Sequence, residues 1–291
     1  MGVEEDFKTF CSNLTIDNTL HISVRYKQIT RRLNQDFWDS CSDTDHRLYF
    51  GSYGRGTAIR GSSDLDMIFT LPTKYYQQYN SYTSNGQSAL LQDIKKSLKQ
   101  TYPSTFIGGD RQVVVVRFAD KMRFEVVPAF INTDGSYTYP DAKKGGRWNH
   151  IDLKPEIDTI QKMNKACNSN LKWLCRMTRA WKNKWKVPIG GLLIDTLAYN
   201  FIKDSRYRDT SFRFYDVMSL DFFAYLMNQK ASQRNWYAPG SNQQVRRKGV
   251  FENKAKQCYN IALKAIDLAC KQRESASRRC WRMIYGKPYP I

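Results

Sequence analysis

Paired cysteine motifs, histidine and long apolar runs are all scarce in this chain. Its seven cysteines, at 11, 41, 167, 175, 258, 270 and 280, are scattered, odd in number and without a C-x-x-C pair. That pattern argues against both a disulfide framework and a zinc ribbon, and fits free thiols in a reducing cytosol. The expected location is therefore cytoplasmic. With three histidines in 291 residues, imidazole is too rare for a histidine-rich metal site. His150 reads as a packed hydrogen-bonding side chain. No run of 18 apolar residues occurs, so no membrane span is expected. The opening MGVEEDFKTF lacks a basic stretch followed by an apolar one, so no secretory signal is read. Asp6 stands where N-myristoylation calls for Ser or Thr. Acid is also in short supply: 27 acidic residues against 46 basic ones leave a net charge of +19. A triphosphate would use only a few of those charges. The surplus points to a larger polyanion, structured RNA above all, with plain solubility charge as the alternative.

What the chain does have is enough apolar residue, 41%, for a sizeable core in one large domain or two lobes. Its most informative stretch is Phe50–Phe69, FGSYGRGTAIRGSSDLDMIF. It reads as a strand end, a tight glycine turn, a short helix and a second strand. Side chains two apart on a strand face the same way, so Asp64 and Asp66 project together. Adjacent carboxylates repel unless a cation lies between them. Oxygen-only ligands suit Mg²⁺, which takes one or two carboxylates together with substrate phosphates. Just upstream, Gly51 and Ser52 occupy a strand-to-helix turn. There, glycine lets the backbone approach a phosphate and the helix start offers N–H groups. An acid-x-acid triplet alone is weak, and Gly-Ser alone weaker. Jointly, Gly51-Ser52, Gly56-Thr57 and Ser63-Asp64-Leu65-Asp66 before an apolar strand resemble the signature of nucleotidyltransferases related to DNA polymerase beta.

Two metals want a third acid. Gln112–Phe118 is strand-like, Asp120-Lys121 turns, and Met122–Val127 forms a second strand carrying Glu125. Glu125 shares a face with Arg123 and Val127 and is the candidate third ligand. A carboxylate followed by Val-Val-Pro-Ala is similar to the third-acid strand of cyclic GMP–AMP synthase-like and DncV-like enzymes, which often carry Asp there.

Along the rest of the chain, the spacing of Ile22, Tyr26, Ile29, Leu33 and Phe37 predicts one long helix over 14–40, with Arg25, Lys27, Arg31 and Arg32 on its other faces. Residues 74–85 read as a tyrosine-rich loop, 87–100 as an amphipathic helix, and 132–149 as a turn-rich connector. The lobe boundary is placed there, giving 1–145 and 146–291. The helix from Asn170 to Trp185 carries a basic stripe of Lys172, Arg176, Arg179, Lys182 and Lys186. Facing an acidic metal site, such a stripe would grip phosphates. Pro188-Ile189-Gly190-Gly191 breaks it, and the next helix carries Asp195, read as structural. Helices follow at about 215–229 and 252–271, with a basic loop at 243–248 between them. In the tail, Arg273, Arg278, Arg279 and Arg282 alternate with Trp281 and Tyr285, which suits RNA or a tail folded back on the core.

The ordered motifs over about 50–201 resemble the bacterial CD-NTase family, relatives of cyclic GMP–AMP synthase and oligoadenylate synthase. No cyclic GMP–AMP synthase zinc thumb is seen. The resemblance implies an α+β fold. It consists of a polymerase-beta-like palm, a mixed sheet with flanking helices, plus a C-terminal helical lobe, with the active site in the cleft. It also implies that Asp64, Asp66 and Glu125 hold two Mg²⁺ ions (Mn²⁺ being the alternative) and that Gly51 and Ser52 cradle the donor phosphates. Arg179, before Ala180-Trp181, stands where the family places a basic residue, usually Lys, on the triphosphate. The implied activity is template-independent joining of ATP, GTP or other nucleoside triphosphates into a cyclic di- or trinucleotide. That product activates an effector in anti-phage defence without direct contact between the proteins. The basic surfaces add structured RNA as an expected activator. Two other readings stay open: extension of RNA 3′ ends or of linear oligoadenylate, and an RNA-binding sensor without catalysis.

Overall fold

A computed structural model describes residues 2–61 and 64–291. Met1, Ser62 and Ser63 lie outside the described residues, and with them the serine that opens the Ser63-Asp64-Leu65-Asp66 motif. The chain begins with α1 (Val3–Leu14). Two compact units follow from its contacts, one built from 17–54 and 64–153, the other from 2–16, 55–61 and 154–291.

The first unit holds, in order, α2 (Thr19–Phe37), β1 (Arg47–Tyr49), α3 (Gly51–Gly54), β2 (Leu65–Thr70), α4 (Thr73–Asn80) and α5 (Gly86–Thr101). It continues with β3 (Phe106–Asp110), β4 (Val113–Arg117), β5 (Arg123–Ile131), β6 (Tyr137–Asp141) and β7 (Arg147–Ile151). The sheet runs β1-β2-β5-β4-β3, with β6 on β5 and β7 on β6. The β2–β5 pair is parallel and the other pairs are antiparallel, so the sheet is mixed, as the resemblance implies. Alternation sorts its side chains. Leu65, Met67 and Phe69 of β2 and Phe124 and Val126 of β5 are buried, as are Ile29 and Leu33 of α2 and Leu90, Ile94 and Leu98 of α5. Their neighbours in sequence turn to the other face, where Ile68, Val127, Ala129, Tyr137 and Leu153 form a smaller apolar cluster. A slip of one residue would exchange the two faces, so this core fixes the register.

The second unit is helical: α1, then α6 (Lys154–Ala166), α7 (Asn170–Trp185), α8 (Gly191–Lys203), α9 (Tyr215–Met227), the hairpin β8 (Asn235–Tyr237) and β9 (Gln244–Arg246), α10 (Glu252–Cys270) and α11 (Glu274–Tyr285). Its core is aromatic. The Phe7 ring lies 5.2 Å from Trp281 and 5.3 Å from Tyr289, edge-on in both cases. A sealed polar knot sits nearby in the same unit. Asp195, fully buried, receives Arg55 Nε at 2.9 Å, the Thr57 hydroxyl at 3.0 Å and Arg179 Nη1 at 2.6 Å.

Several expectations are corrected here. The helix expected over 14–40 is α2 alone, trimmed to Thr19–Phe37; Leu14 instead closes a separate helix, α1, where the chain turns extended at Thr15 and its N–H is taken by the Ser12 carbonyl. Phe7, Phe10, Cys11 and Leu14 of α1 are buried in the helical unit's core, whereas α2 belongs to the sheet unit. The connector over 132–149 contains β6 and most of β7, whose pairing carries the sheet to Ile151. Its Gly, Asp and Lys residues mark the turn and mask the short strands either side. The units therefore part at 153/154 rather than 145/146, and 2–16 and 55–61 join the helical one. The basic loop at 243–248 includes β9. The tail forms α11, with Trp281 1% and Tyr285 3% exposed, so it folds back on the core.

The placement of α1 gives a stability prediction. Phe7→Ala removes a fully enclosed ring and should cost about 3–5 kcal/mol in urea unfolding, although Phe7 lies far in sequence from the helices it packs on. A second prediction concerns acid. Burial pushes the Asp195 pKa up, but Arg179 and then Arg55 bring it down from 3.8 to about 2. A depressed carboxyl stabilises the fold above its unfolded pKa, and that contribution is lost as pH falls through the folded value. Urea titrations should thus show about 2 kcal/mol of stability disappearing between roughly pH 4 and pH 2, a limb that Asp195→Asn would flatten.

Candidate active site

Because β2 and β5 run parallel, residue order matches along both strands. Asp66 stands opposite Glu125, as Leu65 stands opposite Phe124 and Ile68 opposite Val127. Neighbouring strands lie about 4.8 Å apart, so two carboxylates leave the same sheet face side by side. Asp64 precedes β2 by one residue. Arg123, at the head of β5, links it to the group: Nη1 is 3.4 Å from Asp64 Oδ2 and Nη2 is 2.5 Å from Glu125 Oε1. The three acids nominated from sequence are thereby brought to one region of one sheet face.

The local electrostatics call for positive charge. Glu125 is half-buried, and burial raises its pKa; Arg123 draws it down, while Asp64 and Asp110 push it up again, so the net direction is upward. Among the described residues no three His, Cys, Asp or Glu side chains are grouped closely enough to hold a metal ion. Arg123 stands between two of the acids, on Asp64 and on Glu125. The donor set nevertheless fits Mg²⁺ or Mn²⁺: it is all oxygen, and it is crowded with negative charge. Sequence reasoning noted Arg123 only as sharing a face with Glu125, and missed its bridging position.

The glycine turn lies against this site. Gly51 has φ +60, and a Cβ built on it would fall 1.8 Å from Asp66 Oδ2, so neither the backbone angle nor the space admits a side chain. Ser52 follows, half-buried, in α3. That helix has four residues, too few for a useful macrodipole. A phosphate held here would depend on the backbone N–H groups and the Ser52 hydroxyl. Three tyrosines brace the turn, with Tyr26 stacked on Tyr49 at 3.7 Å and Tyr53 tilted against Tyr49 at 4.5 Å. A pocket of about 200 Å³ includes Asp66 and Glu125 in its wall, with Phe50, Ile68, Val127 and Tyr139 supplying apolar surface.

Other nominated residues lie elsewhere. The Gly56-Thr57 half of the motif belongs to the helical unit: the Gly56 carbonyl accepts from Arg176 Nη2 at 2.9 Å, and Thr57 donates to Asp195. Arg179 is 5% exposed, with Nη1 and Nη2 on Asp195 and Nη2 also 3.1 Å from the Gly191 carbonyl. With its guanidinium spent inside the helical unit, Arg179 is a structural ion pair in this geometry rather than a ready phosphate contact. Asp195 is paired with Arg55 and Arg179 inside the helical unit, and His150 Nδ1 lies 3.0 Å from the Thr138 hydroxyl.

Some of the cations nominated for RNA are engaged within their own units, by carboxylates or by neutral carbonyls. On α2, Arg25 pairs with Asp120 at 2.8 Å, Arg31 approaches Asp43 at 3.6 Å, and Arg32 pairs with Asp36. Arg176 is held by Gly56, and in the tail Arg278 pairs with Asp6 at 2.8 Å while Arg282 donates to the Tyr289 carbonyl.

Comparison with known proteins agrees with this arrangement. Residues 1–164 match the family described as the Second Messenger Oligonucleotide or Dinucleotide Synthetase (SMODS) domain. No curated protein gave a significant sequence match. Among solved structures, the chain is similar to Escherichia coli MS115-1 CdnC in its complex with HORMA-deltaN, at 14% identity, 99% of this chain, 98% of that one and a TM-score of 0.69. Elizabethkingia meningoseptica CdnE cyclic dinucleotide synthase, solved with GTP and Apcpp, matches at 13% identity over 88% of this chain and 97% of that one, with a TM-score of 0.62. Vibrio cholerae DncV cyclic AMP-GMP synthase, solved with the linear intermediate pppA(3′,5′)pG, matches at 14% identity over 99% and 87%, with a TM-score of 0.65. At these identities the likeness establishes the fold, a polymerase-beta-like palm with a helical C-terminal part. With the domain match spanning more than half of its length and the whole chain superposing on such folds, the protein belongs to the bacterial CD-NTase family and is a nucleotidyltransferase.

Proposed function

We propose that the enzyme joins nucleoside triphosphates, without a template, into a cyclic di- or trinucleotide that serves as a second messenger in anti-phage defence (CBASS). The observation that carries this reading is the in-register Asp66–Glu125 pair, with Asp64 tied in through Arg123 and the Gly51 backbone against Asp66. The ligands of the structural relatives support triphosphate substrates: CdnE was solved with GTP and Apcpp, and DncV with a linear pppA(3′,5′)pG intermediate.

When bound, two Mg²⁺ ions, or Mn²⁺, held by Asp64, Asp66 and Glu125 would make a ribose hydroxyl more acidic and offset charge on the departing pyrophosphate. The chain's own residues do the rest. Ser52 and the N–H groups of the Gly51 turn hold the donor's phosphates. Gly51, lacking a side chain, lets them come close to Asp66. Arg123 keeps Asp64 and Glu125 together when no substrate is present, offsetting their repulsion. Both carboxylates must be ionised to act, so the raised pKa of Glu125 makes the site depend on local positive charge. A linear intermediate then turns over, and a second transfer closes the ring. Effector proteins meet the product rather than the enzyme.

Structured RNA as an activator rests on net charge alone, and some of the nominated cations, among them Arg25, Arg32, Arg179 and Arg278, face carboxylates within their own units. Activity is therefore expected without nucleic acid.

The decisive measurement incubates the protein with Mg²⁺ and four labelled triphosphates. A phosphatase-resistant product is expected, with mass spectrometry giving ring size and linkage. Lengthening of a labelled RNA, or a linear oligoadenylate ladder, would instead favour the polymerising reading. Glu125→Gln keeps the side chain's shape but loses its charge, and should lower kcat by roughly a thousandfold, about 4 kcal/mol. Gly51→Ala should be as damaging, and more so than Ser52→Ala, because its methyl collides with the Asp66 carboxylate whereas the serine change removes a single hydroxyl.

A further inference from the structure

Between the phosphate turn and the acid strand, the chain takes a detour. It leaves the sheet unit after Gly54, belongs to the helical unit over 55–61, and is back in the sheet unit at Asp64. This strap is gripped along its length. Arg55 Nε lies 2.9 Å from Asp195 Oδ2, and Arg55 Nη1 lies 3.4 Å from Glu156 Oε2. The Gly56 carbonyl accepts from Arg176 at 2.9 Å, and the Thr57 hydroxyl donates to Asp195 at 3.0 Å. Arg60 donates its backbone N–H to the Leu14 carbonyl at 3.0 Å and its Nε to the Thr15 carbonyl at 3.1 Å. Ala58 and Ile59 are buried between these holds.

Asp195 is the centre of the grip. Arg55, Thr57 and Arg179 all donate to its carboxylate, and none of it is exposed. Enclosing a carboxylate with two guanidiniums costs so much desolvation that apolar side chains of similar size often stabilise a fold equally well. What such a knot does better is select one geometry: Arg55 and Thr57 reach Asp195 together in one path of the strap. The need for that path is greatest at Asp64. Within the sheet unit, the turn is tied to β2 by the Phe50 N–H donating to the Asp66 carbonyl at 3.0 Å, whereas Asp64, ahead of the strand, has the longer 3.4 Å contact with Arg123 Nη1.

We propose that Asp195 is a positioning residue for catalysis: through Arg55 and Thr57 it fixes the 55–61 strap, and the strap sets the spacing between the Ser52 turn and the Asp64 carboxylate. This rests on the catalytic reading of Asp64, Asp66 and Glu125. A loosened strap would let the phosphate cradle and the first acid drift apart while each remained chemically intact.

The test uses the full chain with Thr57→Val, which removes one donor to Asp195 and leaves the Arg179–Asp195 pair, and Arg55→Lys, which keeps the charge but loses the fork. Asp195→Asn is the harsher companion. Assayed well below their melting midpoints, Thr57→Val and Arg55→Lys should each lower kcat by roughly tenfold or more and raise the Mg²⁺ concentration for half-maximal activity, beyond any loss in melting midpoint. A purely structural role would instead lower the melting midpoint and the active fraction, leaving the Mg²⁺ dependence of the surviving enzyme as in the wild type. A readout free of catalysis accompanies this: backbone amide exchange in peptides covering 50–54 and 64–67 should quicken in Thr57→Val. Wild-type kcat and wild-type exchange in both mild variants would overturn the proposal. An inactive wild type would overturn the catalytic reading, and the exchange measurement would still decide whether Asp195 holds the strap.

Discussion

Side by side in a parallel register, Asp66 of β2 and Glu125 of β5 place like charges on one face of a sheet. Nothing in strand pairing favours this, and directly opposed like charges weaken it. The register is imposed from the opposite face, where Leu65, Met67 and Phe69 are buried beside Phe124 and Val126. Slipping one strand to separate the acids would carry those apolar side chains out of the core. Hydrophobic burial thus holds the carboxylates in a repulsive arrangement, which Arg123 offsets in part.

The same logic explains which parts of the site were legible in the sequence. Period-two alternation is local, so the shared face of Asp66 and Glu125 could be read from LDMIF and RFEVV once each was taken as a strand. Their pairing was not local: it needed the family pattern to say that two strands 59 residues apart are neighbours, as the Asp66–Glu125 register shows. Helices with one apolar face, such as α5 and α7, were read correctly for the same local reason. The misses share a different cause. Helix α1 is short and opens with Glu4-Glu5-Asp6, and its four buried apolar side chains matter because residues far along the sequence, Tyr215, Trp281 and Tyr289 among them, meet them. The strands β6 and β7 are five residues each and set around a Gly-Gly turn, so composition advertises the turn and hides the ladder.

Charge was the least transferable signal. A net +19 is a property of the whole chain, but pairing is decided by residues far apart in sequence: Arg25 with Asp120, Arg278 with Asp6, Arg179 with Asp195. The stripe of basic residues on α7 looks uniform at helical spacing, yet its members have unlike fates. Lys172 reaches Gln161, Arg176 lies over the Trp173 ring and holds the Gly56 carbonyl, and Arg179 is sealed against Asp195. Periodicity identifies a face; it does not tell whether that face meets water, ligand or a buried carboxylate.

Two carboxylates in this fold make the point from the other side. Asp195 is saturated: two guanidiniums and a hydroxyl fill its lone pairs, and its pKa is driven down despite full burial. Such a group is satisfied and has nothing left to offer a metal or a proton. Glu125 is half as enclosed, shares one guanidinium with Asp64, and its pKa moves up because burial and neighbouring acids outweigh that single cation. Its ionised form is under-compensated, which is the condition for binding a divalent ion. Environments that push acids apart in this way separate the residue that holds the architecture from the one that works in it. The chain bridges the two roles covalently, since Arg55, which saturates Asp195, is three residues beyond Ser52 and nine before Asp64.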